Sequence, residues 1–292
     1  EKVLHNNGYY NFTKNLIYIN ADSSDTKMIN IEFVLKETPE DSMAYESFHI
    51  NDIFIHTNPN EKELDTLIFN NYYFTKNKHN PFIIKPSIIT ELIDIKKNDT
   101  YSKKNAQKTH QNLSNLMFYK NIKIEFKKNK KPNQLDCNIY LISPTKMYYS
   151  IEAEAKGSND DSNLGLSGYF QFGNNNLFKG AESLNGKIKV SLGNRQTSLN
   201  NADNLFNTQE ISGEIGIKTP KLILPKELHK WTQNILQMHT SFLFTVTQRK
   251  KPDFSSKIIT TRLGYYWKNS QNIQHTLNVI ELSFADIEES DF

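Results

Sequence analysis

The feature that most constrains this chain is an alternation of apolar and polar residues that begins just after Pro144 and continues almost to residue 292. Ile151, for example, lies between Ser150 and Glu152. Successive side chains of a β-strand point to opposite faces, so a repeat of two residues predicts strands with one apolar face. About seven such segments follow one another, with roughly the 9–11 residues that a strand needs to cross a bilayer. They cover residues 148–156, 164–172, 184–192, 211–217, 242–246, 259–267 and 277–284.

This alternation leaves two architectures open, a soluble β-sandwich and a membrane β-barrel. One face of each strand is apolar whereas the other is mixed and charged, and aromatic residues gather near strand ends as in an interfacial girdle, which favours the barrel. The aromatic residues are Tyr148, Tyr149, Phe178, Tyr265, Tyr266 and Trp267. The connections 157–163, 194–208 and 249–256 are polar, and 173–181 is short or apolar, which is typical of barrels with long outer loops and short inner turns.

Composition and isolated motifs argue against several classes of function. The 35 Lys and Arg residues nearly balance the 32 Asp and Glu residues, so charge indicates no nucleic-acid partner. No apolar run approaches the roughly 18 residues of a membrane helix. The histidines lack metal-ligand spacing, and Glu152 and Glu154 need no catalytic role if their strand face lines a watery lumen. We therefore expect no enzyme, cofactor or metal, and we expect the single cysteine, Cys137, to be buried.

Upstream of Pro144 the periodicity predicts mixed α/β modules. Alternating segments at 16–19 and 28–35 predict two strands, so residues 1–38 are interpreted as the back half of one module. A fuller copy is predicted within 47–144. Its elements are a strand at 48–55, a helix that starts at Pro86, a helix capped by Ser102, and strands at 122–126 and 135–142. Residues 58–85 do not fit this order and are expected to be an insertion or a long loop.

Two stretches resemble a known family. Tyr101, Thr109 and the run 118–124 resemble the last POTRA module of an Omp85 protein, with Asn98 where Gly is usual. Residues 149–192 match more specifically, because they resemble the opening two hairpins of the barrel in that superfamily. The turn that contributes to this match contains Asn176, Leu177, Phe178, Gly180 and Glu182. The sequence is similar in particular to the TamA-like branch, including its lipoprotein form in Bacteroidetes-type bacteria, through 206–210, Pro220, Pro225, Arg249, Pro252 and 264–267.

The resemblance implies a fold in two parts. The first is an α+β region of POTRA modules with the order β-α-α-β-β, and the second is an all-β antiparallel transmembrane β-barrel of which about seven strands are present. It implies the domains 1–38, 47–144 and 148–292, with residues 1–144 in the periplasm and the rest in the bacterial outer membrane. Residue 1 is not an initiator Met, so an upstream segment is expected. The resemblance also implies that the Arg-containing loop-six motif and the closing strands lie beyond residue 292. About seven strands are not expected to close a barrel, because open strand edges are costly in lipid.

The resemblance also implies a lateral gate at the first barrel strand, where client strands pair through backbone groups. The gate strand consists of Tyr148, Tyr149, Ser150, Ile151, Glu152, Ala153, Glu154, Ala155 and Lys156. The residues whose apolar register is expected to face lipid are Ile151, Ala153, Leu166, Phe170, Ile188 and Val190. The small side chains of Ala153 and Ala155, followed by Gly157, are expected to let the end of this strand release.

The implied function is that of an outer-membrane protein assembly or insertion factor, TamA-like or BamA-like. Its expected partners are client β-barrel proteins or autotransporters, outer-membrane lipids, and a periplasmic or inner-membrane-anchored protein on the POTRA modules. Two alternatives stay open. One is a two-partner secretion pore of the same superfamily, which passes its client through the lumen, and the other is a soluble β-rich binding protein.

Overall fold

The computed structural model of this chain describes residues 1–25, 28–37, 43–57, 64–78, 82–158, 163–194, 206–224, 227, 236–269 and 273–289. The chain divides into two compact units. Unit 1 lies within residues 1–82, 86–114 and 119–143. Unit 2 lies within 144–292 and also includes the short segments 83–85 and 115–118, which the sequence did not predict.

Unit 1 begins with a short helix and a small sheet. Helix α1 (Lys2–Asn6) is followed by Gly8, whose φ of 99° is a left-handed conformation that glycine adopts without strain. A 3-10 turn at Lys14–Leu16 leads into the antiparallel strands β1 (Ile17–Asp25) and β2 (Met28–Leu35). Both strands were predicted from their alternating residues.

A five-stranded mixed sheet and two helices form the rest of unit 1. The elements are β3 (His49–Thr57), β4 (Leu64–Phe69), β5 (Tyr72–Asn77), α2 (Pro86–Glu91), α3 (Lys103–Asn115), β6 (Asn121–Lys128) and β7 (Gln134–Ile142). The strand order is β4-β5-β3-β7-β6, with β3 parallel to both of its neighbours. As predicted, Pro86 opens α2 and the Ser102 hydroxyl accepts a hydrogen bond from the Asn105 amide at the start of α3.

The prediction of an insertion or long loop at 58–85 is wrong for residues 64–77, which form the hairpin β4–β5. Its turn residues Asn70 and Asn71 have φ values of 49° and 65°, the pair of left-handed residues that a tight hairpin turn requires. The predicted order of one strand, two helices and two strands is therefore incomplete, because the hairpin extends the sheet beside β3. Residues 58–63 and 79–81 lie outside the described residues.

The core of unit 1 follows the alternation of its central strands. Alternate residues of β7 are fully buried, among them Cys137, and this burial raises the pKa of its thiol. Buried Thr109 on α3 is satisfied because its hydroxyl accepts a hydrogen bond from the Asp94 amide at 2.9 Å. Asn98 has a φ of 68°, which confirms that Asn takes the left-handed position where Gly was the expected residue.

Unit 2 is dominated by one open antiparallel sheet of seven strands, which confirms the strand number and type predicted from the alternation. The strands are β8 (Met147–Ser158), β9 (Asn163–Asn174), β10 (Ser183–Gly193), β11 (Thr208–Thr219), β12 (Leu236–Lys250), β13 (Phe254–Lys268) and β14 (Gln274–Glu289). Each strand pairs with its neighbours in chain order, so β8 and β14 are the two edges. Among the described residues, no helix has the length and hydropathy needed to cross a bilayer.

The predicted alternation of long and short connections is wrong. Connections at one end of the sheet cover 159–162, 194–207 and 251–253, and those at the other end cover 175–182, 220–235 and 269–273. The polar segment 249–256 was expected to be a loop, yet β12 extends to Lys250 and β13 begins at Phe254. Polar side chains at these strand ends continue the pairing, as Arg249 does opposite Glu210. Residues 159–162 and 195–205 of the expected loops lie outside the described residues.

Candidate functional site: a two-faced sheet and its edge

The strand register places the predicted lipid-facing residues on one face of the seven-stranded sheet. Ile151 lies opposite Phe170, which lies opposite Ile188. In a second row, Ala153 and Val190 flank Gly168. We call this side the apolar face, and the remaining predicted residue, Leu166, also lies on it because it is four positions from Phe170 on the same strand. It continues through Ile211, Ile215, Phe242, Phe244, Ile280, Leu282 and Phe284.

Side chains of the apolar face are largely uncovered. Ile151 is 76% exposed, and the other five predicted residues are also exposed. An exposed apolar surface that continues across seven strands far exceeds the isolated exposed residues of ordinary soluble proteins. A β-sandwich would bury this face against a second sheet, whereas the apolar side chains of its described residues are exposed.

The opposite side, here called the polar face, is held by ion pairs between neighbouring strands. Glu210 on β11 accepts two hydrogen bonds from the Arg249 guanidinium on β12, at 2.6 and 2.8 Å. It accepts a third from the Lys189 ammonium on β10 at 2.9 Å. Arg262 and Glu281 form a further two-bonded pair across β13 and β14. Sequence reasoning missed these pairs, because the partners are far apart in the chain.

The polar face near β8 is connected in the same way. The Tyr169 hydroxyl donates to the Glu154 carboxylate at 3.0 Å, and the Lys187 ammonium lies 4.6 Å from the centroid of the Tyr169 ring. Glu154 also pairs with Lys156 on its own strand at 3.3 Å. Glu152 lies on the same face as Glu154, as predicted, and accepts a hydrogen bond from Ser150 at 3.4 Å. These contacts account for both carboxylates as parts of a charged, hydrated surface.

The predicted gate strand corresponds to β8, whose two ends differ in their attachment to the sheet. At its beginning, the Tyr148 ring lies over Gly173, and the Tyr148 hydroxyl donates to Asn185 on β10 at 2.5 Å. Any side chain at position 173 would occupy the space of this ring. Further along, Ala153 lies opposite Gly168, and a Cβ at Gly168 or Gly157 would meet no atom within 4 Å. On the apolar face, the later half of β8 therefore leaves open space around Gly168 and Gly157. The role of β8 as a gate stays a prediction.

The predicted turn residues come together in the connection between β9 and β10. The Glu182 carboxylate accepts hydrogen bonds from the backbone amides of Phe178 at 3.2 Å and Gly180 at 2.9 Å. The backbone carbonyl of Glu182 accepts a third from the Leu177 amide at 2.8 Å. Ala181 takes a left-handed conformation with a φ of 65°. One carboxylate thus satisfies amides that such a tight connection leaves without partners.

Asn176 fixes this turn to another segment of unit 2. Its side chain is only 2% exposed, its amide nitrogen donates to the Ile83 carbonyl, and its oxygen accepts from the Ala181 amide at 3.0 Å. The Lys85 amide donates to the Lys179 carbonyl at 3.1 Å beside it. The sequence pointed to Asn176 only through family resemblance, and nothing in its spacing indicates that residues 83–85 are its partner.

The expected aromatic girdle is wrong for two of its members. Tyr148 and Tyr266 lie on the polar face, where the Tyr266 ring stacks on His239 at 4.5 Å. Tyr265 and Trp267 lie on the apolar face near the end of β13. This is the end of the sheet at which β8 begins, so the girdle residues collect at one end only. No group of three or more potential metal ligands occurs within the described part of the chain.

The geometry defines a two-faced antiparallel sheet that has one exposed apolar side, one ion-paired side and free edge strands. No protein-family model matches the chain, and no curated protein matches it in sequence. Among solved structures, BamA from Haemophilus ducreyi lacking POTRA domains 1–3 aligns over 92% of this chain and 63% of that one, with 9% identity and a TM-score of 0.36. CdiB from Acinetobacter baumannii aligns over 98% of this chain and 54% of that one, with 12% identity and a TM-score of 0.35.

Both of these structures belong to the Omp85 superfamily, which the sequence also resembles. This chain spans less than two thirds of the length of either. Both TM-scores are below 0.5, so the alignments do not establish a common fold. The functional conclusion below therefore depends on the geometry of the sheet.

Proposed function

We propose that the seven-stranded sheet is the first part of an outer-membrane β-barrel in an assembly factor of the Omp85 superfamily. The observation that carries this proposal is the exposed apolar face that continues across all seven strands, opposite a face of cross-strand ion pairs. Lipid is the environment in which such an apolar face is stable, and a watery lumen is the environment in which the polar face is stable. The strands contain 11 to 16 residues, enough to cross a bilayer at a tilt.

The edges of the sheet support a role in strand exchange. Unpaired amide and carbonyl groups along β8 and β14 would cost several kcal/mol each in hydrocarbon, so both edges require partner strands in a membrane. In the proposed mechanism β8 separates from the closing strand of the complete barrel and pairs with a strand of a client protein. The reaction exchanges backbone hydrogen bonds and needs no catalytic side chain.

Unit 1 supplies the proposed periplasmic part. Its mixed sheet, with β6 antiparallel to β7 and β7 parallel to β3, supports the POTRA interpretation, with the hairpin β4–β5 as an addition. We propose that residues 1–144 lie in the periplasm and engage a periplasmic or inner-membrane-anchored partner. The TamA-like lipoprotein branch, and clients that are β-barrel proteins or autotransporters, are the finer parts of this proposal and depend on the sequence resemblance alone.

A reversible tether tests the strand-exchange role. In the complete protein, a cysteine at Ala153 and a second cysteine in the closing strand would be joined by a disulfide. We expect client insertion to stop when the tether is oxidised, because the edge of β8 is then held by the closing strand and cannot pair with a client. Insertion should recover on reduction. The native Cys137 is fully buried and does not compete.

The matched control joins β8 to β9 through cysteines at Ser150 and Gln171, which are cross-strand partners, and leaves the outer edge of β8 free. This control should insert clients at the unaltered rate. Undiminished insertion by the oxidised outer tether would overturn the proposal and favour a secretion pore that passes its client through the lumen.

A further inference from the structure

A short segment after β11 folds back over the apolar face. We call residues Lys221–Leu224 the strap. Leu222 is 8% exposed, and the Leu224 amide donates to the Leu222 carbonyl at 3.1 Å, which bends the strap tightly. The strap lies at the end of the sheet at which β8 begins and the aromatic residues collect.

Three hydroxyl groups hold the strap. Thr219, Thr240 and Tyr265 are successive cross-strand partners on β11, β12 and β13, so they form a single row across the apolar face. The Thr219 and Thr240 hydroxyls donate to the Lys221 carbonyl at 3.0 and 2.8 Å. The Thr240 hydroxyl also accepts from the Ile223 amide at 2.9 Å, and the Tyr265 hydroxyl donates to the Ile223 carbonyl at 2.6 Å.

This hydroxyl row provides hydrogen-bond partners for the backbone groups of the strap, which would otherwise be unpaired on a lipid-facing surface. Backbone groups without partners are strongly unfavourable in hydrocarbon, and Thr240, only 3% exposed, sits beneath the strap and satisfies two of them. The strap can therefore lie at the boundary between hydrocarbon and headgroups. Outward, it presents Ile223, which is 63% exposed, beside the exposed Lys221.

We propose that the strap binds the headgroup layer of a phospholipid leaflet, with Ile223 inserted among the first methylene groups and Lys221 at the phosphates. An apolar side chain next to a cation matches the chemistry of that layer, and Tyr265 and Trp267 at the same end are residue types that concentrate at membrane interfaces. The strap thereby fixes where lipid contact ends on β11 to β13. This inference depends on the proposed function, because it requires the apolar face to be in a membrane.

Depth-dependent quenching tests the inference separately from the proposed function. The complete protein would carry a bimane label on Ile223→Cys or on Ile215→Cys, in phosphatidylglycerol-containing vesicles with spin labels at the headgroup or at mid-chain. Ile215 is the matched site on the apolar face of β11. We expect the headgroup quencher to be the stronger at position 223 and the mid-chain quencher to be the stronger at position 215.

Three other patterns would each overturn one of the two proposals. Quenching at position 215 without quenching at position 223 would show that the strap faces water or protein, which overturns the inference and leaves the membrane sheet intact. Mid-chain quenching at both positions would also overturn it, because the strap would lie in the hydrocarbon core. No quenching at either position would overturn the proposed function itself.

A second set of variants tests the hydroxyl row. Thr240→Val keeps the shape of the side chain but removes two hydrogen bonds. The headgroup quenching at position 223 should therefore be lost, while the mid-chain quenching at position 215 should be unchanged. Thr261→Val, on the apolar face of β13 and four residues before Tyr265, should leave both signals unchanged. If Thr240→Val does not fold, Tyr265→Phe removes only the bond to the Ile223 carbonyl and should reduce the same signal. Wild-type quenching in every folded variant would overturn the role of the row.

Discussion

Replacement of Ile188 by Lys separates a membrane-spanning sheet from a soluble one. Ile188 lies near the middle of β10, between its cross-strand partners Phe170 and Gly213 on the apolar face. No other part of the described chain covers its side chain, which is 48% exposed. A Lys near the bilayer midplane on a lipid-facing strand costs about 2–4 kcal/mol of folding free energy. The same change at an exposed position in water usually alters stability by no more than about 0.5 kcal/mol.

The neighbouring residue provides the matched control. Lys187 lies on the polar face, where its ammonium group is 4.6 Å from the Tyr169 ring centroid. Lys187→Met removes this cation–π contact, worth about 0.5–1 kcal/mol at an exposed site. In a membrane Ile188→Lys should therefore be the more damaging variant, whereas in a soluble sheet the order of the two variants reverses.

Urea unfolding of the complete protein in phosphatidylcholine vesicles, followed by tryptophan fluorescence, measures both losses. We expect Ile188→Lys to lower the free energy of unfolding by about 2–4 kcal/mol and Lys187→Met by about 1 kcal/mol or less. A loss for Ile188→Lys no larger than that for Lys187→Met would refute the assignment of the apolar face to lipid.

Three further predictions concern other parts of the chain. Glu210→Gln should lower the free energy of unfolding by about 1–3 kcal/mol, because it weakens the hydrogen bonds to two cations, while Glu214→Gln, on the same face and without an ion pair among the described residues, should have little effect. Cys137 should resist alkylation at pH 8 until urea unfolds unit 1, because burial raises the pKa of its thiol and so keeps it protonated; modification of the folded protein would contradict this. Membrane-impermeant labelling of intact cells should reach Asn159→Cys and spare Asn129→Cys, and the reverse result would invert the proposed topology.

The period-two alternation was sufficient to predict the seven strands, because burial or lipid contact on one side alone imposes that pattern. It was less informative about where the strands end. Lys250 and Phe254 lie in paired strands although their surroundings are polar, since backbone pairing continues wherever the side chains find partners across the strands. Loop lengths counted from the ends of apolar runs were therefore too long.

The hairpin β4–β5 was missed for a different reason. Each of its strands has six residues, and their apolar residues do not alternate clearly with polar ones. Phe74 is a fully buried apolar side chain of the hairpin. Yet Asn70-Asn71 between two runs of apolar and aromatic residues is a recognisable signal for a tight hairpin turn. The turn residues therefore mark this hairpin where the alternation of its strands does not.

The ion pairs of the polar face and the hydroxyl row of the apolar face depend on the pairing register of the strands. The spacing of residues in a single sequence does not predict that register. Lys189, Glu210 and Arg249 meet only because β10, β11 and β12 pair with specific offsets, and a slip of one residue would move Glu210 to the apolar face. The hydroxyl row of Thr219, Thr240 and Tyr265 obeys the same constraint on the other face. The two sets therefore select the same alignment of β11 and β12: a slipped register would bury a carboxylate in lipid and leave the strap without partners. The ion pairs on one face and the hydroxyl row on the other therefore both disfavour a one-residue slip between β11 and β12.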